Sequence, residues 1–294
     1  MKKYLVIINP QAGKGRGLKI LKQVEKVLKE LEIDFIIKYT KEKFDAEKNL
    51  KKWVSEDITD LVVIGGDGTL NEIVNGMFPL NYPVRFISTG TGNDFIKSIN
   101  LVTLKELFTT EKFSHLNLFS INDKIGVNAI GIGFDGEVIE DMDKKNLKLK
   151  GLFAYMVFVL LKLFTYKPPK VKISIDKGKE VLKDKFYITC ISNGKAVGGG
   201  FFLTPDAKPD DDKLDICLIK HVPFYLKPYY LLKVLLKKHK DDKRVIMKRI
   251  EEIIIETKNE LKGQIDGQFI KSKKFYIRIL KEKLRLVAHH PEIK

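Results

Sequence analysis

Cysteine is nearly absent from this chain: Cys190 and Cys217 are the only two. Both lie in apolar runs, which excludes a disulfide framework or a cysteine-built metal site and predicts buried thiols in a reducing cytoplasm. The five histidines show no ligand spacing beyond a terminal pair. Long apolar runs are also missing, because the longest, Leu152 to Leu161, stops at Lys162, well short of the roughly 20 residues that span a bilayer. Lys2 and Lys3 precede only the apolar residues Tyr4 to Ile8, too few for the core of a signal peptide, so a first strand is expected there. These absences predict a cytoplasmic protein, soluble or peripheral to a membrane. The sequence also has no internal repeat, no low-complexity segment, no GxxxxGK[ST] spacing and no RNA- or DNA-binding signature. Acidic residues are outnumbered, 38 Asp and Glu against 54 Lys and Arg, for a formal net charge of +16. Such a balance favours anionic partners: a nucleotide, a nucleic acid or an acidic membrane surface. The lysines are spread along the chain instead of forming one arm, which speaks against nucleic acid.

What is present centres on residues 61 to 76, LVVIGGDGTLNEIVNG. Leu61 to Ile64 read as a buried parallel strand. Gly65, Gly66 and Gly68 then let main-chain N–H groups approach an anion closely. Thr69 is placed to cap a helix starting near Leu70, with Glu72 at capping-box spacing, and the helix dipole adds positive potential. Asp67 beside a phosphate is repulsive unless a cation stands between them, so the run predicts a nucleotide phosphate with Mg²⁺, Asn71 included in its reach. A tight strand-to-helix turn without ligand is the plainer alternative.

Around it the chain alternates strand and helix. The first strand opens into a basic loop from Asn9 through Gly13, Lys14 and Arg16 to Gly17. Ile20, Leu21, Val24, Val27, Leu28 and Leu31 then recur at helical steps. A strand at Asp34 to Tyr39 ends at Thr40, a helix runs from about Asp45 to Ser55, and a strand at Val84 to Ser88 delivers Thr89 to Phe95. This is a parallel α/β layer, whose ligands sit beyond the carboxyl ends of its strands, where Asn9, Thr40 and Gly65 converge.

From Ile125 strand-like runs dominate: Ile125 to Ile130, Val171 to Ile175, Phe186 to Ile191, Leu214 to Ile219, Ile253 to Glu256 and Phe275 to Leu280. They predict a mainly antiparallel β-sandwich. The expected domains are 1–122, α/β and nucleotide-binding, and 123–294, β-rich and acceptor-binding, with the last strands returning toward the first. Gly131, Gly133 and Gly136 fit GxGxxG, a weak dinucleotide signal without an acidic partner on a following strand. Residues 147 to 169 carry a helical stripe thickened by Phe153, Val157, Phe158 and Leu161. The preferred reading is a helix buried all round between domains; the other is an apolar surface for acyl chains, flanked by Lys145, Lys148, Lys150, Lys162 and Lys167.

The GGDGT run, the Asn-Pro opening, Gly90 to Phe95 (GTGNDF), the NGKAVGGG to PDAKPDDDKLD stretch ending at Asp215, and Asp266-Gly267-Gln268 occur in the order seen in one family. The chain resembles the diacylglycerol kinase catalytic-domain family of bacterial lipid kinases, of the diacylglycerol and sphingosine kinase kind. NAD kinases share GGDGT alone. The resemblance implies an NAD-kinase-like nucleotide domain followed by a β-sandwich, and an ATP- and Mg²⁺-dependent kinase of phospholipid metabolism. Its γ-phosphoryl transfer to a lipid hydroxyl would occur in an interdomain cleft at an anionic membrane surface. It allows a homodimer.

By resemblance, Asn9, Gly13, Lys14, Thr40, Gly65 to Thr69, Asn71, Glu72 and Thr91 face the nucleotide. Asn93, Asp94 and Asp135 line the acceptor cleft, and Asp94 can hold Mg²⁺ or water. Asp211, with Lys208 and Lys213, stands at a structural Mg²⁺ site, although Asp212 replaces a glycine and Lys213 an apolar residue. Gln268 replaces the general-base glutamate, leaving Asp266 or Asp94 as substitute base alongside Asp67 in the catalytic set. Three alternatives stay open: an NAD-kinase-like small-molecule kinase, a weakened nucleotide- or lipid-binding protein, and a basic nucleic-acid binder.

Overall fold

The first strand, β1 (Lys3–Ile8), buries every side chain from Tyr4 to Ile8, as an apolar run can when both faces of a sheet are covered. In this computed structural model, which describes residues 2–79, 82–145 and 152–291, β1 lies inside a parallel sheet. β2 (Asp34–Tyr39) pairs on one side of it and β3 (Asp60–Gly65) on the other, and β4 (Val84–Ser88) follows β3. A fifth parallel strand comes from the far end of the chain, where residues Leu286 to His289 pair with Val84 to Ile87. The connections are α1 (Arg16–Glu30), α2 (Asp45–Trp53), α3 (Asp67–Met77) and, after β4, α4 (Leu104–Thr109). α1 turns Ile20, Leu21, Val24 and Leu28 into the core with Val6, Ile8, Val62 and Ile64, each buried aliphatic contributing roughly 1.5 to 3 kcal/mol. Residues up to Leu118, with those from Lys281 onward, form this unit.

One polar pair lies within that core. Arg85 on β4 is wholly buried, and its Nε donates to Oδ1 of the buried Asp60 at 2.9 Å. Its Nη1 donates to the carbonyls of Leu107 and Thr110, and its guanidinium stacks 5.1 Å from the Tyr4 ring centroid and 4.9 Å from that of Phe113.

The second unit, Phe119–Leu280, is mainly antiparallel. Its strands are the end of β5 (Ser114–Ile121), then β6 (Lys124–Gly126), β7 (Ala129–Ile132), β8 (Lys170–Ile175), β9 (Glu180–Ser192), β10 (Leu214–Lys220), β11 (Val245–Ile250), β12 (Glu252–Ile265) and most of β13 (Gln268–His289). They pair in the order β11, β10, β9, β7, β12, β13, with β8 joining β9 and β12. The expected strand at Ile125 to Ile130 is two strands broken at Val127 and Asn128. β5 and β11 lie outside the runs read from the sequence, and β12 and β13 are far longer than their apolar cores.

Period-two alternation gives this sheet two cores. Leu214, Ile216 and Leu218 on β10 face one with Ile130, Ile132 and Ile191. Cys217 and Ile219 face the other, with Ala129, Tyr187 and Cys190, beneath α5 (Phe134–Lys145), α6 (Leu152–Thr165) and α7 (Lys227–Leu235). Cys190 and Cys217 are cross-strand neighbours, free and buried, and burial pushes the Cys217 thiol up to about 12, which suits inert packing.

The helix expected over 147–169 is α6. Lys148 and Lys150, and the side chains of Lys145, Leu152 and Phe153, lie outside the described residues. Phe158, Val159 and Leu163 are buried, but Leu160, Leu161 and Phe164 are exposed. The helix is therefore not buried all round, because its core stripe is only one face wide.

Candidate active site

Three loops at the carboxyl ends of β1, β3 and β4 meet backbone to backbone. A Cβ on Gly90 would lie 2.9 Å from the Cα of Gly66, and one on Gly13, at φ +59°, would lie 1.9 Å from the carbonyl oxygen of Thr89. Side chains at these positions would push the loops apart. Main-chain bonds lock the rest: Asn9 N to the Ile64 carbonyl at 3.0 Å, Thr89 N to the Gly65 carbonyl at 2.8 Å and Thr40 N to the Ile8 carbonyl at 2.9 Å. Asn9 Nδ2 donates to Thr69 Oγ1 at 3.4 Å, and the main-chain N–H of Asp94 donates to Asp67 Oδ2 at 2.7 Å. The structure thus brings Asn9, Gly13, Thr40, Gly65 to Thr69, Asn93 and Asp94 to one edge of one sheet.

Local details differ from the sequence expectation. α3 begins at Asp67, so Thr69 is already in its first turn, and Gly66 precedes the helix with no side-chain cap. Glu72 instead accepts from the main-chain N–H groups of Phe44 and Ala46 at the start of α2, and burial nevertheless holds its carboxyl above the ordinary range. The unit's capping box is Thr103 with Glu106, on α4. Lys14 and Thr91 are exposed in their loops. Arg16, absent from the sequence-derived set, is half-buried, with Nε donating to the Gly13 carbonyl at 3.0 Å and Nη2 to the Gly90 carbonyl at 3.4 Å. Lys97 pairs with Asp94 Oδ1 at 2.7 Å. The signals for these two were a second cation in a glycine loop and a lysine three residues past an aspartate.

The edge is incompletely satisfied. The buried Thr89 Oγ1 and Asn93 Oδ1 have no hydrogen-bond partner among the described residues, and such atoms are rare unless a ligand or water completes them. With the start of α3 and the Asp67 carboxylate, these donors and acceptors fit a phosphate accompanied by Mg²⁺.

In the second unit, β12 and β13 are joined by Asp266 and Gly267 at φ +47° and +83°, a two-residue hairpin with both φ positive, for which Asp-Gly is a favoured pair. The Asp266 carboxylate accepts three main-chain N–H groups, from Val127 at 2.7 Å, Asn128 at 3.0 Å and Ala129 at 2.8 Å. These bonds tie the hairpin to β7, and the geometry gives Asp266 a structural task in place of a proton acceptor's. Gln268 is buried, and its Oε1 accepts from Lys124 Nζ at 3.2 Å.

Asp135, in the first turn of α5, lines a narrow, partly open apolar cavity of about 60 Å³. Tyr155, Val159 and Leu163 of α6 and Tyr230, Leu231 and Val234 of α7 form its walls, and Asp135 and Lys227 are the charged residues lining it. Lys227 Nζ sits 4.8 Å from the Tyr187 ring centroid, and burial holds its ammonium below the usual range. Sequence reading missed Lys227, which looks like an ordinary surface lysine in LKPYY.

Burial pushes the Asp135 carboxyl up to about 6, from an ordinary value near 3.8. A carboxyl whose pKa is raised on folding leaves stability intact while both states are protonated, and costs stability as pH rises through the window from 3.8 to about 6. Asp135→Asn is therefore expected to stabilise the protein by about 2 to 3 kcal/mol near neutral pH and to melt like wild type near pH 4, while losing acceptor turnover. Thermal melts across pH check this. A variant no more stable than wild type at neutral pH defeats the assignment of a buried, costly carboxylate.

The turn before β10 behaves otherwise. Asp211 Oδ2 is ion-paired with Arg249, and its Oδ1 accepts the main-chain N–H of Lys213 at 3.1 Å. Lys208 is exposed, and Lys213 Nζ pairs with Glu251 at 2.6 Å. The carboxylate read as a structural Mg²⁺ ligand is thus paired with a half-exposed guanidinium, which an ion at that position would have to displace. Glu137, Glu140 and Asp141 cluster on α5, but Lys162 and Lys262 bridge them.

Comparison with known proteins follows this division. Residues 3–117 match the diacylglycerol kinase catalytic domain, and residues 128–288 match the YegS C-terminal NAD kinase beta sandwich-like domain. A Staphylococcus carnosus protein named "Putative lipid kinase" is 29% identical over 96% of this chain and 95% of its own. A Bacillus subtilis diacylglycerol kinase is 24% identical over 92% of this chain and 90% of its own. A solved structure, "A putative diacylglycerol kinase from Bacillus anthracis str. Sterne", superimposes with a TM-score of 0.77 at 26% identity, covering 98% of this chain and 97% of that one. The chain belongs to the diacylglycerol kinase catalytic-domain family in its two-domain form, a family of lipid kinases, and is a phosphotransferase.

Proposed function

We propose that the enzyme transfers the γ-phosphoryl group of ATP to the hydroxyl of a diacylglycerol-like lipid. The observation that carries this reading is the apolar cavity of the second unit, with Asp135 and Lys227 among its walls. An apolar lining with two charged groups matches the chemistry of a hydrocarbon chain that ends in a small polar head. An NAD-kinase-like acceptor, polar throughout, would leave that surface unused.

In the reaction, the lipid oxygen forms a bond to the γ-phosphorus as the bond to the β,γ-bridging oxygen breaks, ADP leaves, and the hydroxyl proton is released. The transition state is loose, so catalysis is positioning and charge stabilisation. The Gly66 to Thr69 main chain and the start of α3 hold the phosphates. Asp67 would hold Mg²⁺, which neutralises phosphate charge when bound. Arg16 and Lys97 fix the loops through Gly13, Gly90, Gly92 and Asp94. Gln268 orients the hydroxyl through its carbonyl oxygen; an amide has no basic lone pair near neutral pH, and it leaves the proton to phosphate or solvent.

Incubation with γ-labelled ATP and a panel of diacylglycerol, phosphatidylglycerol, a sphingoid base and NAD tests the reading. Labelled lipid supports it, and label in NAD alone defeats it. Gln268 also favours a second reading, a catalytically weakened nucleotide- and lipid-binding protein, which ATP binding with only trace labelled product would support. Under the first reading, Gln268→Glu is expected to raise kcat by about tenfold at unchanged ATP affinity, below the usual range of about 10² to 10⁴ for general-base help because Lys124 would hold the new carboxylate charged. Initial rates decide this. A wild type as fast as the variant shows that Gln268 is no defect.

A further inference from the structure

The two helices that wall the cavity have unpartnered outer faces. On α7 the inward residues Lys227, Tyr230, Leu231 and Val234 line the cavity, while Tyr229, Leu232 and Leu235 point outward and are about half exposed. The turn before it, Phe224–Leu226, adds Phe224 at 64% and Tyr225 at 76% exposure. On α6 the inward residues Tyr155, Val159 and Leu163 line the same cavity, while Leu160, Leu161 and Phe164 are exposed. The two outer faces join, because the rings of Phe164 and Phe224 lie 5.2 Å apart. Exposed aromatic and aliphatic side chains in such a cluster mark a binding surface.

Charge selects the occupant. Residues 152–170 and 222–240 contain no aspartate or glutamate, but three lysines in the first stretch and five in the second. Lys167, just past α6, and Lys237 and Lys238, just past α7, are exposed and make no ion pair among the described residues. Lys162, Lys233 and Lys240 are paired with carboxylates of neighbouring segments, so the charge left at the margin of these aromatic and aliphatic residues is that of Lys167, Lys237 and Lys238, which complements the headgroup zone of an anionic bilayer as the apolar side chains complement its acyl zone.

We infer that the joined outer faces of α6 and α7 dock on an anionic membrane leaflet, so that the cavity behind them opens to lipid within the bilayer. The inference rests on the lipid-kinase reading for the identity of what enters the cavity; the docking itself does not depend on catalysis. One pair of helices thus serves two apolar phases, bilayer outside and acyl chain inside.

Flotation of the purified full chain with phosphatidylcholine vesicles, with and without phosphatidylglycerol, tests it without any activity readout. Wild type is expected to float with the anionic vesicles and to be released by salt. Leu236, just past α7, is also exposed, and the combined Phe224→Ser, Tyr225→Ser, Leu236→Ser variant, altered only at exposed positions, is expected to lose roughly a hundredfold in vesicle affinity at unchanged melting temperature. The combined Lys167→Gln, Lys237→Gln, Lys238→Gln variant is expected to lose about a hundredfold on anionic vesicles and little on neutral ones. Undiminished flotation of both folded variants overturns the inference, as does a variant that turns a dimer into a monomer in sedimentation while vesicle binding stays intact, which would assign the patch to a second copy. Should no lipid be phosphorylated while wild type floats and the variants do not, docking stands and the acceptor reading falls.

Discussion

Asp67→Asn is expected to lower lipid phosphorylation about a thousandfold, the scale of removing a principal electrostatic group from a transition state. The amide keeps an oxygen to accept the Asp94 N–H, now 2.7 Å from Asp67 Oδ2, so the loops should stay joined and the melting temperature should hold. The charge is what disappears. A neutral residue beside a triphosphate repels it less, so metal-free ATP should bind the variant more tightly than wild type, while the gain in affinity that Mg²⁺ confers on wild type should shrink. Calorimetric titration of ATP with and without Mg²⁺, beside initial rates, separates this from a folding defect. Turnover within tenfold of wild type, with an unchanged Mg²⁺ requirement, would remove Asp67 from the site.

Arg85→Met carries the largest expected stability effect, a loss of about 3 to 5 kcal/mol, since it strands the buried Asp60 carboxylate and two carbonyls that the guanidinium now satisfies. The cost comes from the groups left behind more than from the attraction removed. Pairing it with Asp60→Leu should therefore restore much of the stability, because the double variant leaves no buried charge. Urea unfolding of both single variants and the double gives the coupling. If Arg85→Met costs under about 1 kcal/mol, water reaches Asp60 and the pair is not the anchor its burial implies.

Arg85 also shows where sequence reading ends. VRFIS reads correctly as a strand, and Val84 to Ser88 match β4 at both ends, because apolar runs flanked by turn residues are local signals. An arginine inside such a run carries no local sign of its partner, since Asp60 is 25 residues away. The glycine loops were legible because steric need for glycine is written in the residue itself. Their assembly against Gly13 and Arg16 was not, because it depends on strand order. Thr69 and Glu72 have capping-box spacing, yet a helix that starts three residues earlier sends the glutamate to α2. The cavity left the weakest trace: its walls come from five separated segments, and α7, with LKPYYLLKVLL, mixes lysines and aromatics without a clean stripe. The sequence reading divided the chain after residue 122; the units divide after Leu118 and again after Leu280.

β13 gives the chain a schedule. Leu286, which closes the edge of β4 at Val84, is about two hundred residues downstream of it. At ribosomal rates of roughly 5 to 20 residues per second, that edge waits about 10 to 40 s for its neighbour. During synthesis the parallel-sheet unit thus has an open, apolar margin, while the antiparallel unit, contiguous in the chain, is free to fold. The first half translated is the last completed, and an interrupted message yields a product with a template for strand addition exposed.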